Sequence, residues 1–119
     1  MAWSFSADRP VYIQIAHRIR KSVLSGGYQA GAQIPTVRQL ALEAAVNPNT
    51  VQHAFTELEN EGIIIAKGTQ GRFVTDDQQV VQAVREEVAR QLAQAFVEEM
   101  DQLSITAEQA VELIREVQA

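Results

Sequence analysis

Cysteine is absent from the 119 residues, which removes disulfide frameworks, thiolate metal sites and cysteine nucleophiles together. Histidine is nearly as scarce, with only His17 and His53, and no acid pair stands beside a nucleophile in a pattern that builds a catalytic site. Gly68-x-x-Gly71 is too short and wrongly placed to cradle a phosphate. Enzymatic chemistry is therefore excluded, and neither a cofactor nor a metal is expected. No apolar run reaches the length of a bilayer, and the start carries Asp8 and Arg9 where an export signal would stay apolar. A cytoplasmic location with no membrane partner is expected. Positive charge is also scarce: ten Lys and Arg against fifteen acids leave a net charge of −5.

That net charge hides an uneven division. Through Thr75 the chain carries seven Lys and Arg against five acids; from Asp76 onward three arginines face ten acids. A mildly basic head followed by an acidic tail is compatible with a nucleic-acid partner for the head. Hydrophobic residues make up 46% of the chain, enough for a packed core. The expected division is residues 1–75 and residues 76–119.

Within the head, Pro10 suits the first position of a helix, and Tyr12, Ile15, Ile19 and Val23 recur at helical spacing. Arg18 and Lys21 occupy the other side, and Gly26-Gly27 stops the helix. Ala32 to Ile34 leaves room for a very short strand before Pro35. Thr36 is a good cap for a second helix running to about Ala44. A tight turn at Ala45-Val46 leads to Asn47-Pro48, a cap and a first-turn proline opening a third helix. Its inward face is Val51, Ala54, Phe55 and Leu58, and Gly62 ends it. Two such helices form a helix-turn-helix pattern. Ile63-Ile64-Ile65, then Gly68 to Gly71, then Arg72 to Thr75 read as strand, loop and strand, which is a hairpin following directly as a wing. The expected fold is mainly α with a small β-wing: a winged helix-turn-helix head followed by a two-helix C-terminal dimerisation element.

These residues carry a resemblance. Pro10-Val11-Tyr12-Ile13-Gln14-Ile15, Gln33-Ile34-Pro35-Thr36-Val37-Arg38-Gln39-Leu40-Ala41, Asn47-Pro48-Asn49-Thr50-Val51-Gln52, Glu57 to Ile64 and Gly71-Arg72-Phe73-Val74 stand in the order of the motifs of GntR-family regulators. The Asn-Pro-Asn-Thr-Val start and the short helical tail resemble the YtrA subfamily. The resemblance implies a homodimer, most often a repressor, on a palindromic double-stranded operator. It assigns DNA contacts to Arg38, to Asn49 and Thr50, and to Gln70 and Gly71. The sequence departs from the pattern at His53, where arginine is usual, and at Gly68-Thr69, where an arginine-glycine pair is usual.

Residue chemistry supports the same surface. Recognition helices read bases with their N-terminal turns, where Asn49, Thr50, Gln52 and His53 are polar beside apolar inward neighbours. Asn and Gln pair with adenine, and Thr donates or accepts. Thr36 and Asn47, at the two helix starts, and Thr69, at the wing, complete the candidate DNA-binding set. Lys67 and Arg72 flank the wing and are expected to meet phosphates. The competing reading for Arg38 is a surface pair with Glu43, and for the whole module a winged helix that binds protein instead of DNA. His17 is expected to be structural or solvent-exposed.

In the tail, Asp76-Asp77 can cap a long helix with Val81, Val84, Val88, Leu92, Phe96 and Met100 on one stripe. Thr106-Ala107-Glu108-Gln109 has the capping-box pattern for a last helix bearing Leu113, Ile114 and Val117. Its acidic faces oppose a membrane surface, and a stripe that one helix pair cannot bury favours self-association. An unidentified small-molecule effector stays open as a partner, with a cleft between head and tail as its only candidate place.

Overall fold

The structure, a computed structural model, describes residues 2–119. Its elements are α1 (Val11–Leu24), α2 (Val37–Ala44), α3 (Pro48–Glu61), β1 (Ile64–Ala66), β2 (Arg72–Val74), α4 (Gln78–Gln102) and α5 (Ala107–Gln118). They form the expected winged helix-turn-helix followed by two helices.

Each helix of the head starts and stops where its local chemistry dictates. Pro10 stands one position earlier than expected, as the N-cap of α1, and its carbonyl accepts from the Ile13 and Gln14 amides. Thr36 and Gln39 form a reciprocal cap on α2: the Thr36 hydroxyl accepts from the Gln39 amide, and Gln39 Oε1 from the Thr36 amide. Helix α2 ends at Ala45, which is left-handed at φ 59°. That conformation costs an alanine roughly 1–2 kcal/mol, and it turns the chain toward the next helix. Asn47 caps α3 through its side chain, Pro48 follows, and Gly62 closes the helix at φ 84°.

The core forms where the apolar faces of α1, α2 and α3 meet the wing. Ile15, Ala16 and Ile19 of α1 cluster with Leu40 of α2, with Val51, Ala54, Phe55 and Leu58 of α3, and with Ile63, Ile64 and Val74. β1 and β2 are antiparallel, pairing Ile64 with Val74, Ile65 with Phe73 and Ala66 with Arg72. The short strand expected before Pro35 takes the form of a third strip along β2, with Gln33 opposite Phe73. Three backbone hydrogen bonds hold it, from the Gly31, Ile34 and Val74 amides.

The segment before α1 contributes packing that periodicity does not reveal. Trp3 and Phe5 lie against the core, and the Arg18 guanidinium sits 3.8 Å over the Trp3 ring. Gln14 fastens this segment by donating to the Ser6 and Arg9 carbonyls, each at 2.9 Å.

The chain divides into two compact units, one ending at Val84 and the other starting at Arg85. This lies beyond the expected boundary at Thr75 because Val80 and Val84 pack against the head core and Val81 is buried. Of the candidate dimer contacts, Val81 is thus buried within the head and Val84 packs partly against its core. In the second unit Ser104 is left-handed, Thr106 and Gln109 make the expected capping box, and Ala110 is buried.

Replacing Ala45→Gly removes the left-handed strain, an effect partly offset by a more flexible unfolded chain. The expected outcome is a gain of roughly 0.5 kcal/mol, read from the urea midpoint with an unchanged slope.

Candidate nucleic-acid interface

Helix α3 shows two chemically opposite faces. Val51, Ala54, Phe55 and Leu58 are fully buried, while Asn49, Gln52 and His53 are exposed and Thr50 is half-buried. The exposed residues occupy the first two turns, beside the N–H groups that a helix start leaves unpaired. One of these, the Asn49 amide, is taken by Asn47 Oδ1 at 2.8 Å. Asn47 and Thr36 thus both serve as caps, and their polar atoms shape the helix starts that carry Asn49 and Arg38.

His53 is held from the side. Its ring stacks on Tyr12 of α1 with centroids 3.5 Å apart and planes inclined by 8°. Tyr12, expected only as part of an apolar helix face, therefore sets the orientation of a recognition-helix side chain. No single-helix pattern shows such a contact, because it joins residues 41 positions apart. His17 is exposed; partial burial and the nearby Arg20, Arg9 and Lys21 cations hold its imidazole below the ordinary histidine value.

The wing tip is a single 3₁₀ turn over Gly68–Gln70, closed by the Lys67 amide donating to the Gly71 carbonyl at 2.8 Å. Thr69 and Gln70 are exposed there. Gln33 supports the tip from the neighbouring strip, its Nε2 donating to the Gln70 carbonyl at 2.8 Å. Lys67 is exposed, with Nζ 4.8 Å from the centre of the Phe73 ring.

Arg72 differs from Lys67 in its surroundings. Its guanidinium lies 4.9 Å from the Phe55 ring, Nε is 3.4 Å from Glu59 Oε2, and Nη2 donates to Gln52 Oε1 at 3.4 Å. The side chain is three-quarters covered. It folds onto α3 instead of projecting from the wing and so brackets the wing to that helix.

The other head cations divide in the same way. Arg20 makes a two-pronged ion pair with Glu61, with Nε donating to Oε1 at 2.8 Å and Nη2 to Oε2, tying α1 to the end of α3. Arg38 is exposed and, among the described residues, makes no side-chain hydrogen bond or ion pair, including the anticipated pair with Glu43. Arg38 and Lys67 are thus available to an anionic partner. No cluster of potential metal ligands occurs among the described residues.

Residues 11–74 match the family model described as bacterial regulatory proteins, gntR family. The chain is 32% identical to the HTH-type transcriptional regulator YhcF of Bacillus subtilis, over 93% of this chain and 92% of that protein. It is 31% identical to the HTH-type transcriptional repressor YtrA of the same organism, covering 95% of this chain and 88% of that one. A GntR family transcriptional regulator from Listeria monocytogenes superposes with a TM-score of 0.87 at 34% identity, covering 94% of this chain and 98% of that one.

Gly71 adopts φ 108°, and a Cβ built there would stand 2.8 Å from Gln33 Nε2. Gln33 can swing aside, but the backbone strain remains. Gly71→Ala should cost roughly 1–3 kcal/mol by thermal melt and weaken DNA binding through a displaced tip.

Proposed function

This chain belongs to the gntR family of bacterial regulatory proteins, and from that premise we propose that it acts as a homodimeric repressor on a palindromic operator. It is a winged helix-turn-helix, DNA-binding transcription regulator and not an enzyme. The observation that carries the finer reading is the division of α3: a fully buried apolar face opposite the first two turns, which expose Asn49, Gln52 and His53. Such a helix start enters the major groove, with the wing beside it. Arg38 and Lys67 add unpaired positive charge, which supplies affinity through the phosphates. Repression is supported by the printed description of the YtrA relative. No described helix is long and apolar enough to cross a membrane, and the proposed place of action is the cytoplasm, where the operator lies.

The dimer rests on the second unit. Leu92 is 63% exposed and Val117 85%, and Leu113 and Ile114 are exposed with them. Val88 and Phe96 are half-buried on the same helix as Leu92. Apolar surface of this extent calls for a partner, and a second copy is always present at matching concentration. Two heads joined in this way reach half-sites about one helical turn apart.

Selection of bound DNA from a random library should return a palindrome. On that sequence Arg38→Ala and Thr50→Ala should each lose roughly 1–3 kcal/mol of binding free energy without change in the melting curve. Lys67→Ala should weaken all sequences alike and lower the salt slope by about one. A library from which no sequence is enriched would favour a protein-binding winged helix, and variants that bind normally would remove these residues from the site.

Sedimentation of the intact chain should show a dimer at micromolar concentration. The double variant Leu92→Asp/Ile114→Asp should sediment as a folded monomer with much weaker operator binding, since linked heads raise each other's effective concentration. A monomeric parent chain would refute the dimer.

A further inference from the structure

We infer that Arg72 is a specificity-positioning residue: it holds Gln52 by its amide oxygen, so that Gln52 presents its N–H donors to the DNA and selects guanine, which offers two acceptors, over adenine. The inference rests on the reading of α3 as the recognition helix and adds to it which end of one side chain faces the groove.

Arginine carries five donors and no acceptor. A glutamine amide has an oxygen that accepts and a nitrogen that donates, so only Oε1 can face the guanidinium. Nη2 of Arg72 does stand 3.4 Å from Gln52 Oε1. With the oxygen turned toward the wing, the exposed end of the amide is its NH₂ group.

Arg72 can hold this position because it is itself fixed. Glu59 lies about two turns beyond Gln52 along α3 and approaches Nε to 3.4 Å, and the Phe55 ring faces the guanidinium at 4.9 Å. From the other side, Arg72 belongs to β2, paired with Ala66 in the hairpin register. The guanidinium is thus anchored by a strand and neutralised by a carboxylate before any DNA arrives. An arginine so paired is a weak phosphate ligand and a good template for its neighbour.

The consequence for base reading follows from the major-groove pattern. Guanine offers two acceptors, O6 and N7, whereas adenine offers N7 beside the N6 amino donor. An unrestrained glutamine pairs with adenine through both amide atoms. A glutamine offering only its NH₂ end can still donate to adenine N7 but has no acceptor for the N6 amino group, while on guanine both acceptors suit it.

Library selection with the full-length chain tests this, using four proteins: the parent, Gln52→Ala, Arg72→Met and Arg72→Lys. Gln52→Ala locates the column that Gln52 reads, because that column alone should lose its preference. In the parent, guanine should lead adenine there by about fivefold. Arg72→Met keeps bulk against Phe55 but frees the amide, and adenine should rise at that column with the other columns unchanged. Arg72→Lys retains a donor and should keep the guanine preference. The salt slope of Arg72→Met should match the parent, where a lost phosphate contact would lower it by about one. An adenine column in the parent, an Arg72→Met logo identical to the parent, or a reduced slope would overturn the inference while leaving the recognition helix in place. A chain that enriches no sequence at all would overturn the reading beneath it.

Discussion

Phe55 sits at the point where the head is most constrained. It is buried at the centre of the cluster that joins α1, α2, α3 and the wing, with Val51, Ala54 and Leu58 completing the stripe. Successive helical residues are about 100° apart, so a rotation of α3 by one position would carry Gln52 and Thr56 into the core. The burial of four apolar side chains therefore fixes which polar ones face outward. Recognition chemistry on α3 is a consequence of core packing: Asn49, Gln52 and His53 are exposed because their neighbours cannot be. Tyr12 and Arg72 then refine two of those side chains from opposite sides, one by ring stacking and one by hydrogen bonding.

Charge is arranged around the same helix. Its second half carries Glu57, Glu59 and Glu61, at the end where the helix dipole already disfavours negative charge. Arg72 and Arg20 pair with two of these acids, and each arginine arrives from another element, β2 or α1. The pairs thus offset the local acidity and fasten the recognition helix to its supports. What remains for an anionic partner is a smaller set in which Arg38 and Lys67 are the exposed members on α2 and at the wing. Counting cations in the sequence overstates that set, because it cannot separate the arginines that pair internally from those that do not.

The same distinction separates what was legible from what was not. Caps, stops and the inward stripe of α3 depend on residues within one turn of each other, and Thr36, Asn47, Pro48 and Gly62 play the parts their types suggest. The hairpin and its order after the helices were also legible. Contacts between elements were not: Tyr12 with His53, Arg20 with Glu61, Arg72 with Glu59 and Gln33 with Gln70 join residues far apart in the chain, so no local pattern marks them. The packing of Trp3 and Phe5 escaped because two aromatics in an irregular segment have no periodicity. The two compact units divide at Val84, beyond the boundary expected at Thr75, for a related reason. Composition changes at Asp76, but the first valines of α4 continue the apolar surface of the head.

The acidic second unit gives the proposed dimer a physical signature of its own. From Arg85 the chain has eight acids and three arginines, and two of those arginines are paired locally, Arg90 with Glu87 and Arg115 with Glu112. Two such units repel each other by charge, so their association has to come from burial of Leu92, Leu113, Ile114 and Val117. Added salt screens that repulsion over a distance of about 8–10 Å at physiological strength, and so favours the dimer. The same salt weakens the head's hold on phosphates. In the proposed dimer, association and DNA binding would consequently respond to ionic strength in opposite directions. The loss of DNA affinity with salt would belong to the basic surface of the head, while the tail of the proposed dimer would hold the two heads together under the conditions that loosen their grip.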